Sequence, residues 1–160
     1  MKIFISSVTQ GFEAFRRAAA AGVTALGHQA VLAEDFGATP GSPQQACLAG
    51  VRDADAVILI LGSRYGSVQA SGLSATHEEY REVRDTRPVL VFIQQGVDPE
   101  PQQEGFICEV RGWEQGHFTA EFHDPEGLRD HVIRALHDYI LANEAAPFDE
   151  PELTNRARTL

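Results

Sequence analysis

No stretch of this sequence is apolar for long enough to cross a membrane. Its longest apolar run, Ala56 to Leu61, has the length of a strand. The chain passes from Met1 and Lys2 straight into Ile3-Phe4-Ile5, without the zones of a secretory signal. A cytoplasmic domain with no membrane partner is therefore expected. Basic residues are scarce, 13 Lys and Arg against 23 Asp and Glu, for a net charge of -10. That charge repels phosphate backbones, so no nucleic-acid partner is expected. Part of the acidity gathers near the C-terminus, at Asp149, Glu150 and Glu152. There are two cysteines, Cys47 and Cys108, with no C-x-x-C pair and no zinc spacing. They read as two buried thiols. His117 and His123 lack the spacing of helical metal ligands and read as structural or solvated, so no metal site is expected. The chain also lacks a G-x-x-x-x-G-K-[ST] loop, a G-x-G-x-x-G turn after its first strand and a G-x-S-x-G elbow.

What the sequence does contain is a regular alternation of strands and helices. Lys2 to Ser7 reads as a buried central strand, broken by Gly11. Phe12, Phe15, Ala19, Val23 and Leu26 recur at helical spacing, and Gly27 supplies a stop. His28 to Ala33 is a second strand, followed by Glu34-Asp35-Phe36. Ser42-Pro43 has the form of an N-cap with proline at the first helical position, opening a helix to about Asp53 that buries Ala46, Cys47 and Val51. Ala56 to Leu61 needs cover on both faces. Thr76 to Asp85 reads as a short polar helix and Pro88 to Gln94 as a fourth strand. A weaker helix falls within Gln102 to Gly116, and His117 to Phe122 reads as a fifth strand. Asp124 caps a strong amphipathic helix carrying Leu128, Val132, Ile133, Leu136 and Ile140. Residues 1–145 then form one domain. Residues 146–160, with Pro147 and Pro151, read as a linker or disordered tail, such as would lead to a further domain of a longer chain.

This alternation predicts a five-stranded parallel sheet with helices on both faces, a three-layer α/β fold. Right-handed crossovers and short connections favour the flavodoxin-like order 2-1-3-4-5. In such a sheet a ligand binds beyond the carboxyl ends of the strands where the winding reverses, between strands one and three. The segments Ser6 to Gly11 and Gly62 to Gly66 meet there, with Asp35-Phe36-Gly37 on the flank. Ser6 and Ser7 offer hydroxyls, or simply close the strand. Arg64 offers a forked cation for phosphate or carboxylate, or a surface ion pair. Tyr65 and Phe36 offer faces for a flat ring; the alternative for Tyr65 is packing of its own loop. Glu79 points toward the mouth, unless Thr76-x-x-Glu79 is a capping box that turns it back on the Thr76 N–H. His77 reads as a solvated first-turn residue.

Several blocks carry a family resemblance. They are Lys2-Ile3-Phe4-Ile5-Ser6-Ser7-Val8-Thr9, Ala54 through Gly66, Gly72-Leu73-Ser74-Ala75-Thr76-His77-Glu78-Glu79-Tyr80, and Arg87-Pro88-Val89-Leu90-Val91-Phe92. In this order they resemble the DUF4062 family, which is similar to TIR domains and nucleoside deoxyribosyltransferases. The resemblance implies a TIR-like, flavodoxin-like sheet at the N-terminus of larger signalling or defence proteins. It implies a nucleotide-type small molecule as ligand, with NAD as a candidate substrate rather than a cofactor, and self-association of the domain. In enzymatic relatives a glutamate on the helix after the third strand serves the ribose anomeric carbon. The matching position is Glu79, followed by Tyr80. Glu78 is one helical step of about 100° away, so the two are not expected to face the site together. The same resemblance casts Tyr65 or Phe36 against the leaving base, and Ser7 or Arg64 on ribose hydroxyls or phosphate. Gly62 and Tyr80 complete the expected substrate-binding set with Ser6. Two functions follow from it: an N-glycosidase acting on NAD or a related nucleotide, or a non-catalytic TIR-like module that works by homotypic assembly.

Overall fold

The computed structural model describes residues 1–112 and 114–144. The expected tail, residues 146–160 with its acidic cluster, lies outside the described residues. Five strands alternate with five helices in chain order: β1 (Lys2–Ser6), α1 (Glu13–Ala25), β2 (Gln29–Val31), α2 (Pro43–Asp53), β3 (Ala56–Leu61), α3 (Ala75–Val83), β4 (Val89–Gln94), α4 (Pro101–Val110), β5 (Thr119–Phe122) and α5 (Pro125–Glu144). The strands form one parallel sheet in the order β2-β1-β3-β4-β5. This is the expected flavodoxin-like topology.

Strand alternation sends side chains to two cores. Val57, Leu59 and Leu61 of β3 join Phe4, Val91 and Ile93 beneath α2, α3 and α4, with Val51, Val83 and Phe106. Ala56, Ile58 and Ile60 join Ile3, Ile5 and Phe92 beneath α1 and α5, with Ala19, Val23, Leu128, Val132 and Leu136. All six residues of β3 are buried, as a strand covered on both faces requires.

The local signals for the helix ends hold in most places. Gly27 has φ +80° just past α1, a conformation glycine adopts without steric cost. The Ser42 hydroxyl accepts the Gln45 N–H while Gln45 reaches back to the Ser42 N–H, a full capping box. The Asp124 carboxylate accepts the Gly127 N–H at the start of α5. Strand β2 is shorter than its apolar run suggested, because a 3-10 turn over Ala33–Asp35 takes its end. On α2 only Val51 is buried; Ala46 and Cys47 are half-buried, lining surface clefts. Cys108 is exposed, so the expectation of two buried thiols fails. Among the described residues no helix is long and apolar enough to cross a membrane.

Candidate functional site

The sheet order reverses between β1 and β3, and the loops that follow these strands line one cleft of about 220 Å³. Ser7 to Gln10 form one wall, Arg64 to Ser67 the other, and the first turn of α3 closes the floor. A second cavity, of about 190 Å³, opens beside it between the starts of α2 and α3. The two share Gln69 and Ala75.

Glu79 belongs to the second cavity. Its residue surface is 6% exposed, and its Oε1 accepts a 2.9 Å hydrogen bond from Ser6 Oγ at the end of β1. Its other oxygen has no hydrogen-bond partner among the described residues. The expected capping box on Thr76 does not form. Helix α3 begins one residue earlier, and the hydroxyl of Ser74 accepts the His77 N–H. Position three from the cap is then His77, so no glutamate can reach back, and Glu79 turns inward two residues later. Burial pushes the Glu79 carboxyl up to about 7; the Ser6 hydrogen bond and the nearby Arg16 charge pull the other way, and Glu78 adds to the rise. Glu78 also lines this cavity, contrary to expectation, since the cavity wall runs along α3 and is wide enough for two adjacent residues. Its Oε2 accepts from Gln44 Nε2 at 2.8 Å, while its Oε1 is buried without a partner among the described residues. Cys47 faces the same space, its thiol pushed up by burial and by the Glu79 charge.

Behind Ser6 and Ser7 lies a residue for which no role was expected. Arg16 is 2% exposed. It donates from Nε and Nη2 to the two oxygens of Glu34 at 2.8 and 2.6 Å, a bidentate pair. Its Nη1 donates to Ser7 Oγ at 2.9 Å. The pair ties α1, the end of β2 and the β1 loop together, and holds the Glu34 carboxyl below its ordinary range. A signal was present: Arg16 lies four residues after Phe12 and three before Ala19, on the apolar stripe of α1, where a charge must find a buried partner.

Other expected residues have different surroundings. Arg64 is exposed at the cleft rim, with Nη1 3.3 Å from the Gln10 carbonyl. Phe36 lies on the far side of α2, lining clefts with Gly37 and Ala46, and its ring packs on Gly50. Gly62 serves packing: a Cβ there would lie 2.6 Å from the Phe12 ring. Tyr80 is 1% exposed and packs on Phe106 and His117, away from both cavities. Tyr65 borders the first cleft, but its hydroxyl is buried 2.6 Å from His77 Nδ1.

His77 is not the solvated residue expected. It is buried, stacked on Phe106 with ring centroids 3.9 Å apart, and its Nε2 lies 3.1 Å from Glu109. Desolvation lowers its pKa against the pull of Glu109. A neutral ring that donates from Nε2 to Glu109 accepts at Nδ1 from the Tyr65 hydroxyl. Arg81 completes the cluster, donating to Glu109 at 2.7 Å. This network fixes the β3–α3 loop against α4. Among the described residues no group of three or more His, Cys, Asp or Glu is placed to hold a metal ion.

A family model described as a domain of unknown function, DUF4062, matches residues 2–137. No curated protein matches the chain. Solved structures do. The TIR domains of the activated Roq1 resistosome recognising the pathogen effector XopQ align with TM-score 0.59 at 9% identity, over 84% of this chain and 98% of theirs. The CMP N-glycosidase BcmB of Clostridium botulinum aligns with TM-score 0.54 at 10% identity, over 82% of this chain and 98% of that one. The TIR heterodimer of RPS4 and RRS1 gives TM-score 0.54 at 13% identity, over 86% and 97%. At these identities the likeness is one of fold.

Proposed function

This chain belongs to the DUF4062 family, and we propose that it cleaves the N-glycosidic bond of NAD or a related nucleotide, as a TIR-like signalling or defence domain, with Glu79 as the carboxylate that meets the ribose. One observation carries the reading. A glutamate 6% exposed is held by a single hydrogen bond from Ser6, and its remaining oxygen is left for whatever occupies the adjoining cavity. Burying a carboxylate is costly, and structural carboxylates at such depth are normally paired with a cation or several donors. The fold shared with a CMP N-glycosidase and with TIR domains agrees with this reading.

The chemistry needs one carboxylate. As the C1′–N bond breaks, its electron pair leaves with the base and positive charge builds on the ribose ring. An ionised Glu79 below C1′ stabilises that charge or forms a covalent glycosyl ester, which water then hydrolyses, releasing a proton. Nicotinamide leaves NAD as a neutral ring, since the pair neutralises its cationic nitrogen, and no general acid is required. Ser6 holds the carboxylate in place, and the Arg16–Glu34 pair holds the loop on which Ser7 stands.

The test is release of nicotinamide from NAD by wild type and by Glu79→Gln at high protein concentration. Release by wild type that falls on the order of 10⁴-fold in the variant supports the reading. Equal release by both, or none from folded wild type, removes it.

A second reading is favoured by a separate observation. Phe118, ahead of β5, is wholly exposed, a single aromatic side chain of the type that interfaces between proteins enrich. A non-catalytic module acting by homotypic assembly would use such a residue, and TIR domains of this fold form a heterodimer.

A further inference from the structure

The first cleft is not lined by Glu79, and its own lining has a chemistry to account for. In a chain with 23 acidic residues and 13 basic ones, no carboxylate lines it among the described residues, and one arginine does. Its floor is the first turn of α3. The Ser74 hydroxyl takes the His77 N–H and the Ser74 carbonyl takes the Glu78 N–H. The N–H groups of Ala75 and Thr76 come too early in the helix to find a carbonyl within it. They lie at the positive end of the helix dipole.

Thr76 supplies the independent observation. It is 5% exposed and lines the cleft, and among the described residues its hydroxyl makes no hydrogen bond. A buried threonine usually satisfies its hydroxyl on the preceding turn or a neighbouring strand. Here there is no preceding turn, and the cleft is what the side chain faces. Arg64 stands at the rim with most of its donor set unused by the protein. Two backbone N–H groups, one unpartnered hydroxyl and one guanidinium are donors that converge where no carboxylate lines the cleft among the described residues, a set that suits an oxyanion.

We propose that this cleft binds the phosphate of a nucleotide, whose ribose then lies over Glu79 in the adjoining cavity. Gln69 and Ala75, shared by the two cavities, are the boundary across which the substrate bends. The position of the ribose rests on the N-glycosidase reading; the phosphate site stands on the cleft alone. It makes a nucleotide, rather than a nucleoside, the substrate class.

Amide NMR titration of the full chain tests this with three probes: inorganic phosphate, adenosine 5′-monophosphate and adenosine. Phosphate is expected to shift the amides of Ala75 and Thr76 in wild type and equally in Glu79→Gln. Thr76→Val and Arg64→Ala are each expected to weaken binding about tenfold. The monophosphate is expected to bind at least about tenfold more tightly than adenosine. The site is overturned if phosphate leaves those amides unmoved, if the Thr76→Val, Arg64→Ala double variant binds as wild type does, or if the monophosphate binds no better than adenosine. Phosphate binding by a chain that cleaves no nucleotide would remove the glycosidase reading and leave the site standing.

Discussion

At the scale of single residues, burial decides the chemistry of this protein. Glu79 is raised to about 7 because it is taken out of water, with one hydroxyl in place of a hydration shell. Its folded pKa lies above the ordinary 4.5, so between about 4.5 and 7 the native state holds a proton that the unfolded chain has released. Stability therefore falls as pH rises through that window. Glu79→Gln keeps the acceptor for Ser6 and removes the penalty. It is expected to match wild type in urea unfolding at pH 4.5 and to exceed it at pH 8 by up to about 3 kcal/mol. On the proposed glycosidase reading the activity has the opposite slope: the ionised carboxylate is the form that would serve the ribose, so turnover is expected to climb with pH and level off above about 7. A flat pH–rate profile from pH 5 to 8 would exclude Glu79 as the titrating group. Arg16 is the complementary case. Glu34→Gln leaves its guanidinium buried beside a neutral partner, and a loss of about 3 kcal/mol is expected in denaturant unfolding. An unchanged midpoint would show that Ser7 and the loop carbonyls suffice.

At the scale of elements, short-range chemistry accounts for most helix ends and fails at the one that matters. Ser42 and Gln45 form the capping box that Ser-Pro announced, and Ser42→Ala is expected to cost about 1 kcal/mol in thermal or chemical unfolding. Helix α3 carries two cap-type residues, Ser74 and Thr76, two positions apart. Local chemistry favours Thr76 because Glu79 follows it at capping-box spacing. Tertiary packing selects Ser74, because that start turns His77 onto Phe106 and Glu79 under Ser6 at once. The same choice leaves Thr76 facing the cleft. Gly62 shows the tolerance of the element before it. Phe12 sits 2.6 Å from where a Cβ would lie, with Gln94 on its other side. Gly62→Ala is expected to destabilise by about 1–3 kcal/mol, through displacement of a buried ring; a neutral result would mean that Phe12 moves freely.

At the scale of the whole molecule, two cores flank one sheet, and the switch point falls where strand order reverses. Exposed features outside that frame contribute little to folding. Phe118→Ser is expected to change stability by less than about 0.5 kcal/mol. If the domain works by assembly, the same change is expected to abolish concentration-dependent association in sedimentation. Association that persists in the variant would place the interface elsewhere.

The strand order, the helix count and the switch point were legible because they follow from alternation, periodicity and handedness, which are local or chiral rules. Glu79 was legible only as a motif position, and its rival role as a cap was equally consistent with the spacing. The sequence by itself determined which segments become strands and helices, the burial of β3 and the breaks at Gly11 and Gly27. The tertiary structure alone decided that Arg16 pairs with Glu34, that His77 is buried between Tyr65 and Glu109, and that Tyr80 belongs to the core rather than the site. Tyr80 follows from the rings that pack against it, Phe106 and His117, whereas the first two share one physical reason. Each depends on which residue distant in sequence supplies a partner in a medium without water, and hydrophobic pattern carries no record of polar pairing across elements.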